Sequence, residues 1–185
     1  MLLKLYYMRY LFLLIFIFTF NIFLSQKVSA QEVKWHTFTE AVDLNKKNPR
    51  KIFIDVYTDW CGWCKVMDKN TFHDSVIVKI LNEKYYAVKF NAETKDTITF
   101  KGRAFVSTGQ GNRPPHQLAA AMLQGKMSYP SVVFMNEENL FIAAVPGYKK
   151  PEDLEPLLIY IANSLYEKKV DFQKFQENYK SKKSQ

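Results

Sequence analysis

The chain has two cysteines, Cys61 and Cys64, and only Gly62 and Trp63 separate them. A disulfide stabilises a fold mainly by closing a long loop of the unfolded chain, so a bridge across two residues would contribute little stability. A zinc site needs about four ligands, and none of the three histidines lies at ligand spacing to the cysteines. The spacing therefore favours reversible redox chemistry of the two thiols, and we expect no bound metal.

The segment before the cysteines must position them. Lys51–Thr58 (KIFIDVYT) is rich in β-branched and aromatic residues and predicts a strand that is buried on both faces. Cys61 then opens a predicted helix, whose first N–H groups and partial positive charge stabilise a thiolate and lower its pKa. Because the thiolate attacks disulfides, Cys61 is the expected nucleophile. Cys64, one turn further along, would resolve the resulting mixed disulfide.

The first thirty residues differ from the rest of the chain. Lys4 and Arg9 precede an apolar run, Leu11–Leu24, and small residues follow up to Ala30. This order is typical of a secretory signal peptide over residues 1–30, cleaved after Ala30. The apolar run is shorter than the roughly 20 residues that a membrane-spanning helix needs. The alternative is an uncleaved N-terminal anchor. In both cases the remainder is exported, as a periplasmic or secreted protein.

The length and charge of the chain limit its organisation. After export, residues 31–170 are enough for one domain and too few for two. Six lysines lie between Lys168 and Lys183, and residues 171–185 are interpreted as a basic, solvated C-terminal tail. The chain has a net charge of +8, but aromatic and basic residues are not interleaved as in nucleic-acid-binding segments. We therefore expect no nucleic-acid partner.

The other predicted elements alternate strands with helices, which indicates an α/β fold with helices on both faces of the sheet. A turn as short as Glu137–Asn139 makes the last two strands an antiparallel hairpin. The segment Glu93–Arg113 contains three glycines and is predicted to be mixed, with a loop within it. The predicted strands are Tyr86–Asn91, Ser131–Asn136 and Leu140–Val145, and the predicted helices are Glu40–Lys47 capped by Thr39, one after Asp74, His116–Leu123, and Glu152 to about Lys168, with a further turn or two within 171–180.

The segment from Ile54 to Lys65 (IDVYTDWCGWCK) resembles the active-site segment of thioredoxins. The longer stretch from Asp55 to Glu93 resembles above all the C-terminal thioredoxin-like domain of bacterial transmembrane thiol:disulfide interchange proteins. The resemblance covers about residues 35–165. It implies a thioredoxin-like fold, with a central mixed β-sheet flanked by helices, and a thiol–disulfide oxidoreductase that needs no cofactor. The features that carry it are Asp59-Trp60-Cys61, Lys65, Thr71-Phe72, Asn91, Tyr129-Pro130-Ser131 and Gly147.

The same resemblance implies roles for three further residues. Pro130 corresponds to a cis-proline that faces the cysteines, where the residues alone would favour an ordinary proline at a strand entrance. Asp55 corresponds to a buried aspartate that accepts the proton of Cys64, and Lys89 to a lysine paired with it. The alternatives are an edge aspartate that faces water and a solvated lysine.

Four residues around the motif are expected to bind substrate: Trp60, Gly62, Trp63 and Tyr129. The pair Gly62-Trp63 stands where typical thioredoxins have Gly-Pro, and Tyr129 is bulkier than the residue usual before the cis-proline. The residues between the cysteines strongly influence the redox potential, so the direction of electron flow stays open. The segment 92–128 is also longer than in a minimal thioredoxin, and either shapes a partner-specific groove or is neutral.

These observations support one leading function and two alternatives. The leading hypothesis is a monomeric oxidoreductase that reduces or isomerises disulfides of exported proteins and receives electrons from a membrane donor. The first alternative is a dithiol oxidase. The second is a non-catalytic thioredoxin-like binding module, for which the long 92–128 segment and the basic tail are the motivation.

Overall fold

The computed structural model describes residues 32–109 and 111–183. Their main element is a five-stranded mixed sheet, and the fourth and fifth strands of the chain form a separate two-stranded hairpin. The predicted signal peptide and its cleavage site fall outside the described residues. The strands are β1 Trp35–His36, β2 Lys51–Tyr57, β3 Tyr85–Asn91, β4 Ile98–Phe100, β5 Arg103–Phe105, β6 Ser131–Met135 and β7 Phe141–Pro146.

Strand β2 lies at the centre of the sheet, whose order is β1-β3-β2-β6-β7. It runs parallel to β3, with Ile54 opposite Val88, and antiparallel to β6, with Ile54 opposite Val133. Alternate residues of β2 enter two hydrophobic clusters, since Ile52 and Ile54 belong to one and Phe53 to the other. The prediction of a strand buried on both faces is therefore confirmed, and so is the mixed α/β sheet.

Six helices are described: α1 Phe38–Lys47, α2 Gly62–Asn70, α3 Ser75–Lys84, α4 Gln117–Met122, α5 Pro151–Ala162 and α6 Phe172–Lys183. The predicted cap of α3 is confirmed, because the Asp74 carboxylate accepts from the N–H groups of Val76 and Ile77. None of these helices in the described ranges is both long enough and apolar enough to cross a membrane.

The predicted start of α1 is wrong. Thr37, not Thr39, is the capping residue, and its hydroxyl accepts from the N–H of Glu40 at 3.2 Å. The Glu40 carboxylate accepts from the N–H of Thr37 at 2.8 Å, which completes a reciprocal capping box. Starting the helix two residues earlier also brings Phe38 into the core, where it is buried. Asn48 ends the helix, as predicted.

The segment Glu93–Arg113, predicted to be mixed with a loop, contains the two short strands β4 and β5. Strands β4 and β5 pair antiparallel, with Phe100 opposite Arg103, across a two-residue turn. Lys101 and Gly102 adopt φ values of 49° and 75° there, the left-handed conformation that tight hairpin turns require. The hairpin packs on the domain because the ring of Phe100 lies 5.2 Å from that of Phe38.

The C-terminal region also differs from its prediction. Helix α5 ends at Ala162 instead of near Lys168, and Ser164 follows with a φ of 50°. Helix α6 is longer than the predicted turn or two, and its aromatic side chains contact α5. The rings of Phe172 and Phe175 lie 5.1 and 5.5 Å from the ring of Tyr160. Much of the lysine-rich C-terminal segment is therefore a helix with tertiary contacts.

Candidate active site

The two cysteines lie at the junction between β2 and α2. The N–H of Cys61 donates to the carbonyl of Thr58 at 3.1 Å, just after the end of β2. Cys61 is the N-cap of α2, and its Sγ accepts from the backbone N–H of Cys64 at 3.1 Å. The two sulfurs form a disulfide, and the residues are only 5% and 2% exposed. The predicted strand–cysteine–helix arrangement is therefore confirmed.

This geometry determines what the Cys61 sulfur can do. A side-chain acceptor at a helix N-cap receives a backbone hydrogen bond and the positive end of the helix dipole. In the dithiol form, the N–H of Cys64 would stabilise a Cys61 thiolate in the same way. Apart from the adjacent residues and the helix backbone, a Cβ atom placed on Gly62 would meet no heavy atom within 4 Å, so the space beside Gly62 is open.

Asp55 is buried beneath this end of the sheet. Its side chain is 2% exposed, and its Oδ2 lies 2.7 Å from the Nζ of Lys89. Its Oδ1 is buried and has no hydrogen-bond partner among the described residues. Burial raises the pKa of Asp55 to about 6, although the positive charge of Lys89 works in the opposite direction. The buried position and the predicted partner are confirmed, and the alternative of an edge aspartate that faces water is wrong.

Lys89 connects Asp55 with helix α2, because it also pairs with the carboxylate of Asp68. Burial lowers the pKa of Lys89, but the two carboxylates outweigh burial and raise it above its usual value. Sequence reasoning missed Asp68. Its signal was available, since Asp68 stands four residues after Cys64 and side chains at that spacing share one face of a helix.

Three aromatic rings surround the same ammonium group. The Nζ of Lys89 lies 4.9, 5.0 and 5.2 Å from the ring centres of Trp35, Phe72 and Tyr57. Such cation–π contacts favour the charged lysine. They hold Lys89 in place between the two carboxylates, so it is not a solvated strand lysine.

The Tyr129–Pro130 peptide bond is cis, as the resemblance implies. Ser131 lies opposite Val56 across the antiparallel β2–β6 pair, so Pro130, which directly precedes β6, lies at the end of the sheet from which Cys61 emerges. The ring of Tyr129 meets that of Trp60 edge-on at 6.0 Å. Because Trp60 immediately precedes Cys61, this contact joins the proline segment to the cysteine segment.

Trp60 is held from three sides although it is 49% exposed. Besides Tyr129, its indole N–H donates to Oε1 of Glu93 at 2.8 Å. The guanidinium carbon of Arg113 lies 5.0 Å from the ring centre. Burial, and secondly the negative charge of Glu93, raise the pKa of Tyr129 to about 12, so its hydroxyl stays neutral. Sequence reasoning identified Trp60 and Tyr129 but not Glu93 or Arg113.

Trp63 lies apart from this cluster and is 62% exposed. Its ring is 5.4 Å from that of Tyr148, in the segment that follows β7. The cysteine motif therefore carries two exposed indoles, one before Cys61 and one before Cys64. Their positions fit the predicted role of contacting a substrate, which stays a prediction.

The sequence matches the family described as Thioredox_DsbH, protein of unknown function, DUF255, over residues 19–181. The chain belongs to this family. An uncharacterized protein of Caenorhabditis elegans, B0495.5, is 34% identical over 85 residues, which are 44% of this chain and 12% of that protein. Spermatogenesis-associated protein 20 of Mus musculus is 31% identical over 43% of this chain and 10% of its own length. The match thus spans only a small part of the length of these two proteins.

Solved structures place the family member in the thioredoxin fold. A structure titled DsbH Oxidoreductase has a TM-score of 0.51 at 18% identity, covering 76% of this chain and 91% of that one. A thioredoxin-fold protein from Helicobacter pylori has a TM-score of 0.53 at 16% identity, covering 72% and 82%. At such identities the likeness shows the fold alone. The thioredoxin-like resemblance of the sequence is therefore confirmed.

Proposed function

We propose that the chain is an exported thiol–disulfide oxidoreductase that reduces or isomerises disulfides of exported proteins. The observation that carries this proposal is the Cys61–Cys64 pair at the start of α2, with the sulfur of Cys61 accepting from the N–H of Cys64. A helix N-terminus of this kind favours the nucleophilic thiolate. Asp55, with a pKa of about 6, adds a buried group that can take up a proton near neutral pH.

The reaction begins with the dithiol form. The Cys61 thiolate attacks one sulfur of a substrate disulfide, forms a mixed disulfide and expels the other substrate sulfur as a thiolate. Cys64 then loses its proton and attacks the Cys61 sulfur. This step forms the Cys61–Cys64 disulfide and releases the second substrate thiol, so that the substrate gains two electrons and the protein loses two.

Asp55 is the proposed acceptor of the Cys64 proton. A carboxylate with its ordinary pKa would be too weak a base near neutral pH, and a base is most effective when its pKa lies close to the working pH. Burial moves the pKa of Asp55 toward that range, while Lys89 keeps a part of the population ionised. Asp55 would return the proton when the dithiol form is restored.

A donor must supply two electrons for each turnover. We propose a membrane-bound dithiol protein for this role, because an exported protein has no access to cytoplasmic reductants. Isomerisation needs no net electron transfer, since Cys61 is released when a substrate thiol attacks the mixed disulfide. A dithiol oxidase would run the same steps backwards from the disulfide form.

Reduction of insulin by dithiothreitol tests the activity. The wild-type protein should accelerate insulin precipitation, and Cys61→Ser should not. Equal rates for the two proteins would contradict catalysis and favour the binding module. The redox potential of the pair, measured in glutathione buffers, tests the direction. A value near that of strong oxidants, about −120 mV, would contradict the reductase, whereas about −270 mV is typical of reductants.

The partners can be captured through the mixed disulfide. In Cys64→Ala the resolving thiol is absent, so partners attacked by Cys61 should remain covalently bound and be identifiable by mass spectrometry. Exported proteins with disulfides among the trapped species are the expected result. Trapping only cytoplasmic proteins in the native host would contradict export, which N-terminal sequencing of the mature protein also tests.

A further inference from the structure

Arg113 brings a positive charge to the edge of the cysteine site. It belongs to the long 92–128 segment, and its guanidinium carbon lies 5.0 Å from the ring centre of Trp60. Trp60 is the residue before Cys61 and is fixed by Glu93 and Tyr129. The cation therefore lies against the side chain that precedes the nucleophile in the chain, and this side chain is itself held by Glu93 and Tyr129.

The backbone around Arg113 is also restrained. The N–H of Thr108 donates to the carbonyl of Pro115 at 3.0 Å, and Ser107 pairs with the buried His116 in an isolated bridge. Pro114 follows Arg113 directly, and proline restricts the conformation of the residue before it. These contacts join the two flanks of the segment around Arg113 to each other, and the N–H of His116 donates to the carbonyl of Ala92 at 2.7 Å, just after β3. The backbone that carries Arg113 is therefore anchored to the domain near Trp60 and Glu93.

The guanidinium has hydrogen-bonding capacity to spare. A guanidinium that stacks on an aromatic face leaves its N–H groups directed outward in its own plane, where they can bind a carboxylate at two points. Arg113 forms no ion pair with a carboxylate among residues 32–109 and 111–183. The acidic side chain that shares its tryptophan, Glu93, directs Oε1 to the indole N–H instead.

We infer that Arg113 is a specificity-determining residue, which selects polypeptide disulfides carrying an acidic residue beside the cysteine that Cys61 attacks. This inference rests on the proposed function. The indoles of Trp60 and Trp63 are both exposed and are therefore accessible to a polypeptide substrate. Arg113 contacts the residue next to Cys61, and successive residues of an extended substrate chain advance about 3.3 Å, so we place the selected carboxylate within about two residues of the attacked cysteine.

The test uses pairs of tryptophan-free peptides that contain one disulfide and differ only in glutamate or lysine beside the reactive cysteine. Single-turnover rate constants are measured with pre-reduced protein. The wild type should prefer the glutamate peptide by about fivefold, the upper end for one solvent-exposed ion pair. Arg113→Gln should lose the preference, and Arg113→Glu should favour lysine. Raising the salt concentration should reduce the wild-type preference.

Arg103→Gln is the matched control. Arg103 lies in the same long segment and stacks on Phe105 at 5.0 Å, the same type of contact away from the cysteine motif. It should keep the preference. Equal rates for both peptides in the wild type, or an equal loss in Arg103→Gln, would overturn the inference. So would an Arg113 effect confined to oxidised glutathione, since that result would indicate recognition of a small anionic disulfide.

A binding measurement separates this inference from the proposed function. In the variant with both cysteines replaced by serine, tryptophan fluorescence reports peptide binding without chemistry. If this variant binds the glutamate peptide selectively but the wild-type protein reduces no disulfide, the role of Arg113 is supported and the oxidoreductase is contradicted. Rapid reduction without selectivity in rate or binding would do the reverse.

Discussion

The ammonium of Lys89 lies 2.7 Å from the buried Oδ2 of Asp55 and does not bring the pKa of that carboxyl back to its ordinary value. Burial is the larger effect, because the side chain of Asp55 is only 2% exposed. Lys89 also shares its charge with Asp68, on the helix that carries Cys64. The pair therefore holds an acid whose pKa, about 6, lies close to neutral pH.

The stability of the oxidised protein should fall with rising pH because of Asp55. Its pKa is 3.8 in the unfolded reference and about 6 in the fold, so the folded state binds more protons between these values. The stabilisation is fully present below about pH 4 and is lost as the pH rises through 6. Relative to Asp55→Asn, the wild type should lose about 2–2.5 kcal/mol between pH 4 and pH 7.

Urea denaturation of both oxidised proteins across this pH range measures the difference. Asp59→Asn is the control, because Asp59 is exposed and is not among the charges that shift the pKa of Asp55. That variant should follow the wild type. A difference between wild type and Asp55→Asn that does not change with pH would show that Asp55 has an ordinary pKa.

The same substitution should affect the second step of the proposed reaction more than the first. In Asp55→Asn, Cys64 lacks its proton acceptor, so attack by Cys61 continues while resolution slows by about 10²-fold, the lower end of general-base effects. The mixed disulfide should then accumulate and be detectable by acid quenching and mass spectrometry. If attack and resolution slow equally, Asp55 does not act as the base for Cys64.

Asp68 and Lys89 should shift the pKa of Asp55 in opposite directions. Asp68→Asn removes a negative charge that raises this pKa and leaves Lys89 to pair with Asp55 alone, so the pKa should fall. Lys89→Gln removes the charge and the hydrogen bond that lower it, so the pKa should rise. Carboxyl ¹³C NMR titration of Asp55 measures both shifts. Shifts of the same sign would contradict the proposed network.

Much of this site could be predicted from the sequence because its positions depend on local patterns. The apolar run of β2 and the motif after it locate Cys61, and the resemblance identifies Asp55 and Pro130. Asp68 was missed although its spacing from Cys64 is a local signal. Arg113 had no such signal, since its position over Trp60 depends on the path of a long segment that few regular patterns constrain.

The fold shows the same division. Strands and helices with clear periodicity were predicted within a few residues, except for the C-terminal end of α5. Strand β1, with two residues, has too short a pattern to detect. The hairpin β4–β5 was missed because its turn is formed by Lys101-Gly102. Lysine is uncommon in the left-handed conformation that Lys101 adopts there. The length of helix α6 was predicted too short because its many lysines indicated a solvated segment, and the core-facing residues Phe172 and Phe175 were not recognised.

The N-cap of α1 can be tested by comparing Thr37, the observed capping residue, with Thr39 as the control. Thr37→Ala should destabilise the protein by about 1 kcal/mol, because the N–H of Glu40 loses its acceptor at the start of α1. Thr39→Ala should be neutral within about 0.5 kcal/mol, since Thr39 is exposed inside the first turn. Thermal or urea denaturation compares the two variants. A larger loss of stability in Thr39→Ala than in Thr37→Ala would show that Thr39 is the capping residue.

Helix α6 should contribute to stability even though none of its residues is fully buried. Phe175 is half-buried, lies 5.5 Å from Tyr160 and precedes Tyr179, whose hydroxyl donates to the buried Glu155 at 2.8 Å. Phe175→Ala should cost about 1–2 kcal/mol, less than the 3–5 kcal/mol typical of a fully buried phenylalanine. Lys174→Ala, on the exposed side of the helix, should change stability by less than about 0.5 kcal/mol.

Deletion of residues 171–185 extends this test. It removes the partners of Glu155 and uncovers Tyr160, so it should destabilise the protein more than Phe175→Ala does. The cysteine site should remain competent at low temperature, because Cys61, Cys64 and Asp55 lie on β2 and α2. If the deletion and Phe175→Ala both leave the free energy of unfolding unchanged, this segment is the solvated tail that its composition suggests.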